Sequence, residues 1–235
     1  MRWYFIGVDL GQSEDYTALA VVERRETAGE FDAAWWRYRR VETLWLRHLE
    51  RVPLGTSYPE VVKRLVTVAQ TEPLAGQCTM VVDATGVGRP VVDQLLAAKP
   101  GCSVLPVLIL GMEMESQDRG CYRVPKKDLV TGLELLLANE HLAVAPGLKQ
   151  WEALKEEMME MKVRKTDSGR DQFGVTRAGK HDDLVLATTL ACWAARKVTP
   201  SVCGGDPGYI VQEDEREWRR RFQWAIDAAM RRVGQ

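Results

Sequence analysis

The chain has 235 residues, of which 46% are hydrophobic and 28% charged, and its formal net charge is −1. This composition fits a globular domain with a sizeable core and excludes a disordered or fibrous chain. Because the whole chain carries almost no net charge, a polyanionic partner would have to meet a local basic surface.

The first predicted element is a buried strand that ends on a carboxylate. Residues 5–9 form an apolar run closed by Asp9, Gly11 permits a turn, and residues 17–22 return as a second apolar strand. Burying Asp9 is costly unless a cation, a base or a hydrogen-bond cage faces it. Alternating polar and apolar residues over 39–47 predict a third, half-exposed strand. The chain therefore opens with three antiparallel strands.

The middle of the chain contains a second strand that ends on an aspartate. Ser57 and Glu60 form a capping box that begins an amphipathic helix. An apolar strand then ends on Asp83 and leads through a glycine-rich turn into another helix. Since a continuous apolar run, 104–110, follows, we expect a parallel, right-handed crossover. Residues 111–123 are polar and are expected to form a loop.

Residues 126–183 include a basic stretch that is followed by two adjacent aspartates. Two helices, beginning near residues 126 and 147, lead to a basic stretch in which Ser168-Gly169 predicts the turn of a β-hairpin. Asp182 and Asp183 follow at the start of a strongly apolar helix. The helix dipole stabilises carboxylates there, and the free N–H groups can orient them.

Domain organisation and location follow from composition. Residues 1–198 are expected to form the main domain, 199–212 a linker and 213–235 a charged C-terminal helix. The five cysteines lack C-x-x-C spacing, which disfavours a zinc site and indicates reduced thiols. No apolar run approaches the roughly 18 residues needed to span a membrane, so we expect no membrane partner and a cytoplasmic location.

Three acidic positions are expected to converge. If the first and fourth strands are parallel neighbours, Asp9 and Asp83 lie roughly 5 Å apart between backbones. A helix opened by Asp182 and Asp183 would complete the cluster. Without a nearby lysine such a cluster is repulsive unless divalent cations neutralise it, and hard oxygen ligands suit Mg²⁺ or Mn²⁺. Two ions roughly 4 Å apart can activate a water and stabilise the leaving oxygen in phosphodiester hydrolysis.

The order of these elements resembles the ribonuclease H-like layout. Its motifs resemble the nuclease domain of phage terminase large subunits, which cuts concatemeric viral DNA during packaging. This resemblance implies an α/β fold with a mixed five-stranded sheet, flanking helices, a β-hairpin insertion and a C-terminal helix. The resemblance covers Tyr4 to about Ala195 and rests on Gly7-Val8-Asp9 with Gly11, Asp15 and Thr17-Ala18, on 82–88, on 124–130 and on 179–183.

The resemblance also implies roles for individual residues. Catalysis and metal ligation fall to Asp9, Asp83 and Asp183, with Asp182 as a fourth ligand or an orienting group. Asp15 is expected to cap the turn or to position a metal-bound water, and His181 to support the helix entrance. Two Mg²⁺ or Mn²⁺ ions and double-stranded DNA are the implied cofactors and substrate. The basic residues expected to contact DNA are Lys126, Lys127, Arg164, Lys165, Arg177 and Lys180.

The sequence departs from this family in one respect, which concerns the ATPase domain that drives DNA translocation. A complete large subunit carries an ATPase domain, whereas this sequence has no GxxxxGK[ST] phosphate loop. We therefore expect a separately encoded or truncated nuclease that works with a partner ATPase in the bacterial host, or a prophage remnant.

Other interpretations stay open at this point. The segment 9–13 resembles the phosphate-binding turn of actin-like ATPases and sugar kinases, although those proteins need a second such turn. A catalytically inactive DNA-binding module of a packaging complex would also fit. Holliday-junction resolvases share the fold and chemistry but would require a dimer.

Overall fold

The computed structural model arranges helices on both faces of a mixed β-sheet. It describes residues 2–11, 15–86, 88–118, 120–165, 171–175 and 181–198, with isolated positions 220, 225 and 227. The expected linker and most of the expected C-terminal helix lie outside these residues. The strands are β1 (Arg2–Asp9), β2 (Ala18–Asp32), β3 (Arg37–Arg51), β4 (Cys78–Asp83), β5 (Ser103–Leu110), β6 (Ser116–Asp118), β7 (Cys121–Pro125), β8 (Leu142–Val144), β9 (Met161–Lys165) and β10 (Asp171–Val175). The helices are α1 (Tyr58–Ala69), α2 (Gly88–Ala97), α3 (Lys126–Ala138), α4 (Trp151–Glu160) and α5 (Asp183–Lys197).

The main sheet has the expected combination of antiparallel and parallel strands. Its order is β6-β7-β5-β4-β1-β2-β3-β8. The pairs β1–β2 and β2–β3 are antiparallel, whereas β1–β4 and β4–β5 are parallel. Helix α2 connects β4 to β5, and the parallel pairing of these strands confirms that the predicted crossover is parallel. The mixed α/β class is therefore confirmed.

The number of strands differs from the prediction. The described sheet has eight strands where five were expected. Three strands are additional: β6 and the first part of β7 lie in the segment 111–123 that was expected to be a loop, and β8 is the third. Strand β6 is exposed along its whole length, and β8 has only three residues. Short edge strands carry too little apolar periodicity to be recognised from sequence.

Strand β1 is covered on both faces. Phe5 points to a core cluster shared with α3 and α5, whereas Tyr4, Ile6 and Val8 point to a second cluster formed with α1 and α2. Helix α5 lies directly against β1, since a Cβ added at Gly7 would be 1.9 Å from the Ala187 carbonyl oxygen. Only glycine permits this approach, which fixes α5 over the sheet.

Two hairpins extend from this layered core. Strands β2 and β3 each have 15 residues, more than the alternation predicted, and Trp35 and Trp36 at their tip are 72% and 82% exposed. Strands β9 and β10 form a separate two-stranded sheet, as the basic stretch predicted, and contact α4 and α3. Among the described residues, every helix is too short or too polar to cross a bilayer.

Candidate active site

Strand register brings the first two aspartates side by side. The parallel β1–β4 ladder runs from Tyr4 opposite Cys78 to Val8 opposite Val82, so Asp9 and Asp83 form the next position. Adjacent strands lie about 4.8 Å apart, and both carboxylates therefore leave the same edge of the sheet.

Helix α5 adds the two remaining carboxylates. Its close approach to Gly7 orients its N-terminus, with Asp182 and Asp183, toward this edge. Burial raises the pKa of Asp9 well above its usual value, and the charges of Asp83, Asp183 and Asp182 raise it further. The structure thus brings together all four aspartates that the sequence singled out.

The Asp83 carboxylate is held by the turn that follows it. Its Oδ1 accepts a hydrogen bond from Thr85 N at 2.8 Å, and Thr85 Oγ1 accepts one from Ile109 N at 3.0 Å. Burial nevertheless raises the pKa of Asp83, against the opposing effects of Thr85 and Lys126. A Cβ at Gly88 would be 2.1 Å from the Asp83 carbonyl oxygen, so this glycine allows α2 to start beside the carboxylate.

Asp182 pairs with a lysine and does not cap its own helix. It occupies the N-cap position of α5, yet its side chain makes no capping hydrogen bond. Its Oδ2 instead accepts a hydrogen bond from Lys126 Nζ at 2.7 Å. Lys126, expected to contact DNA, therefore lies within the acidic cluster and lowers the pKa values of Asp9 and Asp83.

Asp183 is the least solvent-exposed of these carboxylates. It is 4% exposed, and its Oδ2 has no hydrogen-bond partner. Arg51 Nε lies 3.6 Å and His181 Nδ1 lies 3.9 Å from that oxygen. Burial raises the pKa of Asp183 to about 6, although His181 and Arg51 oppose the shift. A buried carboxylate oxygen without a hydrogen bond is costly, which favours a role in ligand binding.

Sequence reasoning missed Arg51 and Glu157. Glu157 on α4 is 5% exposed, is paired with Arg51, and accepts a hydrogen bond from Val185 N at 3.0 Å. Burial raises its pKa to about 7. A signal existed for Glu157, because it follows Leu154 by three residues on the apolar stripe of α4. Arg51 ends an alternating strand and offers no comparable signal.

The predicted supporting residues lie at the rim of the site. The Asp15 side chain is 70% exposed, and its Oδ1 is 4.0 Å from His181 Nδ1. The His181 ring packs edge-on against Tyr16, with ring centroids 5.1 Å apart. The turn between β1 and β2 is closed by Gly11 N, which donates to Thr17 Oγ1 at 3.2 Å.

The other predicted DNA contacts are only partly described. Lys127 is exposed on the first turn of α3, next to Lys126. Arg164 and Lys165 belong to β9, whose partner strand contacts α3. Arg177 and Lys180 lie outside the described residues.

Three of the four carboxylates face a protein group. Within the described residues, no set of three or more His, Cys, Asp or Glu side chains is placed to hold a metal ion. The reason is visible in the contacts above: Thr85 holds Asp83, Lys126 holds Asp182, and Arg51 with His181 faces Asp183. The donor set consists of hard oxygens in mutual repulsion, which fits a divalent cation in chemistry.

Comparisons with known proteins agree on one group. The sequence matches no known family model. It is 25% identical over 188 residues to the terminase large subunit of Thermus phage G20c, covering 80% of this chain and 31% of that protein. The terminase large subunit of Thermus virus P23-45 is equally similar. The chain thus spans about a third of the length of these curated relatives.

Solved structures show the fold. The large terminase nuclease of phage G20c with bound magnesium has a TM-score of 0.55 at 22% identity, with 82% of this chain and 81% of that chain covered. The nuclease domain of the large terminase subunit gp2 of bacterial virus Sf6 has a TM-score of 0.57 at 13% identity, with 85% and 89% covered. The predicted resemblance is confirmed: over about four fifths of its length this chain is similar to the nuclease domains of phage large terminases, with a ribonuclease H-like fold.

Proposed function

We propose that this chain is a metal-dependent endonuclease that hydrolyses DNA phosphodiester bonds during phage or prophage genome packaging. The observation that carries the proposal is the convergence of Asp9, Asp83, Asp182 and Asp183 at one edge of the sheet. The similarity to terminase nuclease structures, one with bound magnesium and another with manganese, supports the choice of chemistry.

The proposed ligands are the four aspartates. Asp9, Asp83 and Asp183 are the principal ligands, and Asp182 is a fourth or an orienting group. When bound, two Mg²⁺ or Mn²⁺ ions would supply Lewis acidity and an activated water. The buried Asp183 Oδ2 without a hydrogen bond is the strongest structural argument for the fit. Because Thr85 holds Asp83 and Lys126 holds Asp182, these two side chains must reorient to share a cation with Asp9 and Asp183.

The basic side chains near the acidic cluster are proposed to contact the DNA phosphates. Lys126 is the cation paired with Asp182, so it is placed to meet a phosphate oxygen next to the acidic cluster. Lys127 and the hairpin residues Arg164, Lys165, Arg177 and Lys180 are proposed to contact the DNA backbone. Contacts of this kind position a duplex without reading its sequence, and we therefore propose weak sequence preference.

The proposed partners are double-stranded DNA and an ATPase. Translocation needs a motor, and the sequence contains no GxxxxGK[ST] loop. The chain matches 31% of the length of its terminase relatives. We propose that an ATPase, on the same or another polypeptide, works with this domain in the host cytoplasm.

The test is plasmid cleavage by the purified protein. Supercoiled plasmid incubated with Mn²⁺ or Mg²⁺ is expected to be nicked and linearised, and EDTA is expected to stop the reaction. Asp83→Asn should reduce the rate by about 10³-fold or more, because a ligand worth several kcal/mol of transition-state stabilisation is removed. Asp93→Asn on the exposed face of α2 is the matched control and should cleave normally.

Other outcomes separate the alternatives. Intact supercoiled plasmid with both metals, together with DNA binding in a gel-shift assay, would favour an inactive DNA-binding module. ATP turnover that depends on Asp9 would favour the kinase-like interpretation. Cleavage that survives Asp83→Asn would show that the proposed site is wrong.

A further inference from the structure

Helix α5 starts at Asp183, and Asp182 occupies its N-cap position. The side chain of Asp182 does not cap the helix. The first N–H groups of a helix need acceptors, and an aspartate at the N-cap usually supplies one to the third helical residue. Here that residue is Val185, and the Asp182 side chain makes no capping hydrogen bond. Val185 N instead donates to Glu157 Oε2 at 3.0 Å. The cap therefore comes from another helix, α4.

Glu157 is fixed in this position by its second oxygen. It is 5% exposed, and its Oε1 accepts a hydrogen bond from an Arg51 amino group. Arg51 Nε also lies 3.6 Å from Asp183 Oδ2, and the guanidinium carbon lies 5.2 Å from the centroid of the Tyr16 ring. One buried pair thus connects α4, the end of β3 and the start of α5.

Because Glu157 accepts the hydrogen bond from Val185 N, the carboxylates of Asp182 and Asp183 are not needed to cap α5. A capping carboxylate turns back onto its own helix and is occupied by the backbone N–H. Asp182 is instead 2.7 Å from Lys126 Nζ, and Asp183 retains an oxygen without a hydrogen bond. Neither carboxylate therefore caps Val185, whose N–H group donates to Glu157.

We propose that Glu157 is a positioning residue that caps α5 from α4 and thereby keeps Asp182 and Asp183 directed into the site. This role rests on the proposed metal-dependent function, because directing Asp182 and Asp183 into the site matters only if they bind a metal ion. It predicts that without Glu157 the Asp182 side chain turns back to cap Val185 and leaves Lys126. Removing a group that orients metal ligands typically weakens metal affinity by about 10–100-fold.

The first experiment follows the Val185 amide in the metal-free protein by hydrogen exchange. Asp182→Ala alone should leave its protection unchanged, and Glu157→Ala alone should retain much of it through Asp182. The double variant should lose it. If Asp182→Ala alone removed the protection, or if the double variant kept it, Glu157 would not be the cap and the proposal would be overturned.

The second experiment measures Mn²⁺ affinity by calorimetry, with no substrate present. Glu157→Ala should weaken binding by about 10–100-fold. Its neighbour Glu156 is exposed, so Glu156→Ala should bind as the unaltered protein does. Glu157→Gln keeps the size and one acceptor oxygen, and should fold with a smaller loss of affinity. Unchanged affinity in both Glu157 variants would overturn the positioning role.

The two readouts also separate this proposal from the proposed function. If the unaltered protein failed to bind Mn²⁺, the nuclease proposal would fail, while the Val185 exchange pattern would still report whether Glu157 supplies the cap. If Mn²⁺ bound normally and the exchange pattern did not appear, only the role of Glu157 would be wrong.

Discussion

Two clusters of charge lie along the same strands and have opposite compositions. Near the N-terminus of β1, Glu23 is fully buried, and Arg47 Nε and Arg25 Nε each lie 2.6 Å from one of its oxygens. Arg2 Nε adds a third contact at 3.6 Å. At the C-terminal end of β1, Asp9 faces three other carboxylates. In the first cluster the cations are in excess, and in the second the anions are.

Comparing the two clusters shows which buried carboxylates belong to a ligand-binding site and which only stabilise the fold. Both Glu23 oxygens have arginine partners, and Arg47 also packs 4.6 Å from the centroid of the Trp45 ring. Both oxygens of this carboxylate are thus paired within the protein, and the cluster serves the fold. In the acidic cluster Asp183 has an oxygen without a hydrogen bond. Excess negative charge, more than burial, distinguishes a site that requires a cation.

The largest expected effect on stability is in the arginine cluster. Glu23→Gln should lower the free energy of unfolding by about 3–5 kcal/mol, because the buried Arg47 loses its counter-ion. Urea unfolding measures this change. Glu30→Gln, an exposed position on the same strand, is the control and should change stability by less than about 0.5 kcal/mol. If the two substitutions changed stability equally, the ion pairs of Glu23 would not stabilise the fold, and the proposed difference between its cluster and the acidic cluster would be wrong.

The acidic cluster should make metal-free stability fall as pH rises. Burial raises the pKa of Asp183 from 3.8 to about 6 and that of Glu157 from 4.5 to about 7. The folded protein thus keeps protons that the unfolded chain releases, so this stability is complete below about pH 4 and is lost as pH rises through about 6 to 7. We expect Tm to fall by about 5 °C or more between pH 5 and pH 8.

Thermal unfolding with and without Mn²⁺ checks this pH dependence. Metal ions bind the deprotonated carboxylates, so added Mn²⁺ should reverse the fall at high pH. A Tm that rises from pH 5 to pH 8 without metal would contradict the raised pKa values.

Asp9→Asn should be a stabilising substitution, in contrast to Glu23→Gln. The pKa of Asp9 is raised by burial and by the neighbouring aspartates, so its charge is unfavourable at neutral pH. Removing that charge should raise the metal-free stability by about 1 kcal/mol or more, about 2–4 °C in Tm. The same variant should lose the stabilisation by Mn²⁺. A destabilised Asp9→Asn protein would indicate that Asp9 is paired as Glu23 is.

The sequence was sufficient for the parts of the fold that depend on local periodicity. The apolar runs that end at Asp9 and Asp83 identified β1 and β4, and their equivalence predicted the shared edge that the register shows. The capping box at Ser57 was equally local, and Glu60 Oε2 accepts from Ser57 N at 3.1 Å. These features are encoded within a few residues, so they can be recognised without tertiary contacts.

The parts that could not be predicted depend on contacts across long sequence separations. Arg51 and Glu157 are 106 residues apart, and Glu157 reaches Val185 across 28 residues. The sequence around Asp182 and Asp183 places both at the start of a helix but does not show that Val185 N donates to Glu157. Strand β7 pairs with β5 and β6 pairs with β7, and the sequence of this segment does not signal either pairing.

The smallest expected effect concerns the lysine of the acidic cluster. Lys126 and Asp182 have side chains that are 27% and 24% exposed, so Lys126→Met should cost less than about 1 kcal/mol. Arg47→Met, in which the lost partner is 1% exposed, should cost several times more. Because Lys126 lowers the pKa values of Asp9 and Asp83, its removal should raise both and shift Mn²⁺ binding to higher pH. Calorimetric titrations at pH 6, 7 and 8 would show that shift, and a pH dependence unchanged by Lys126→Met would mean that the lysine does not regulate the charge of the cluster.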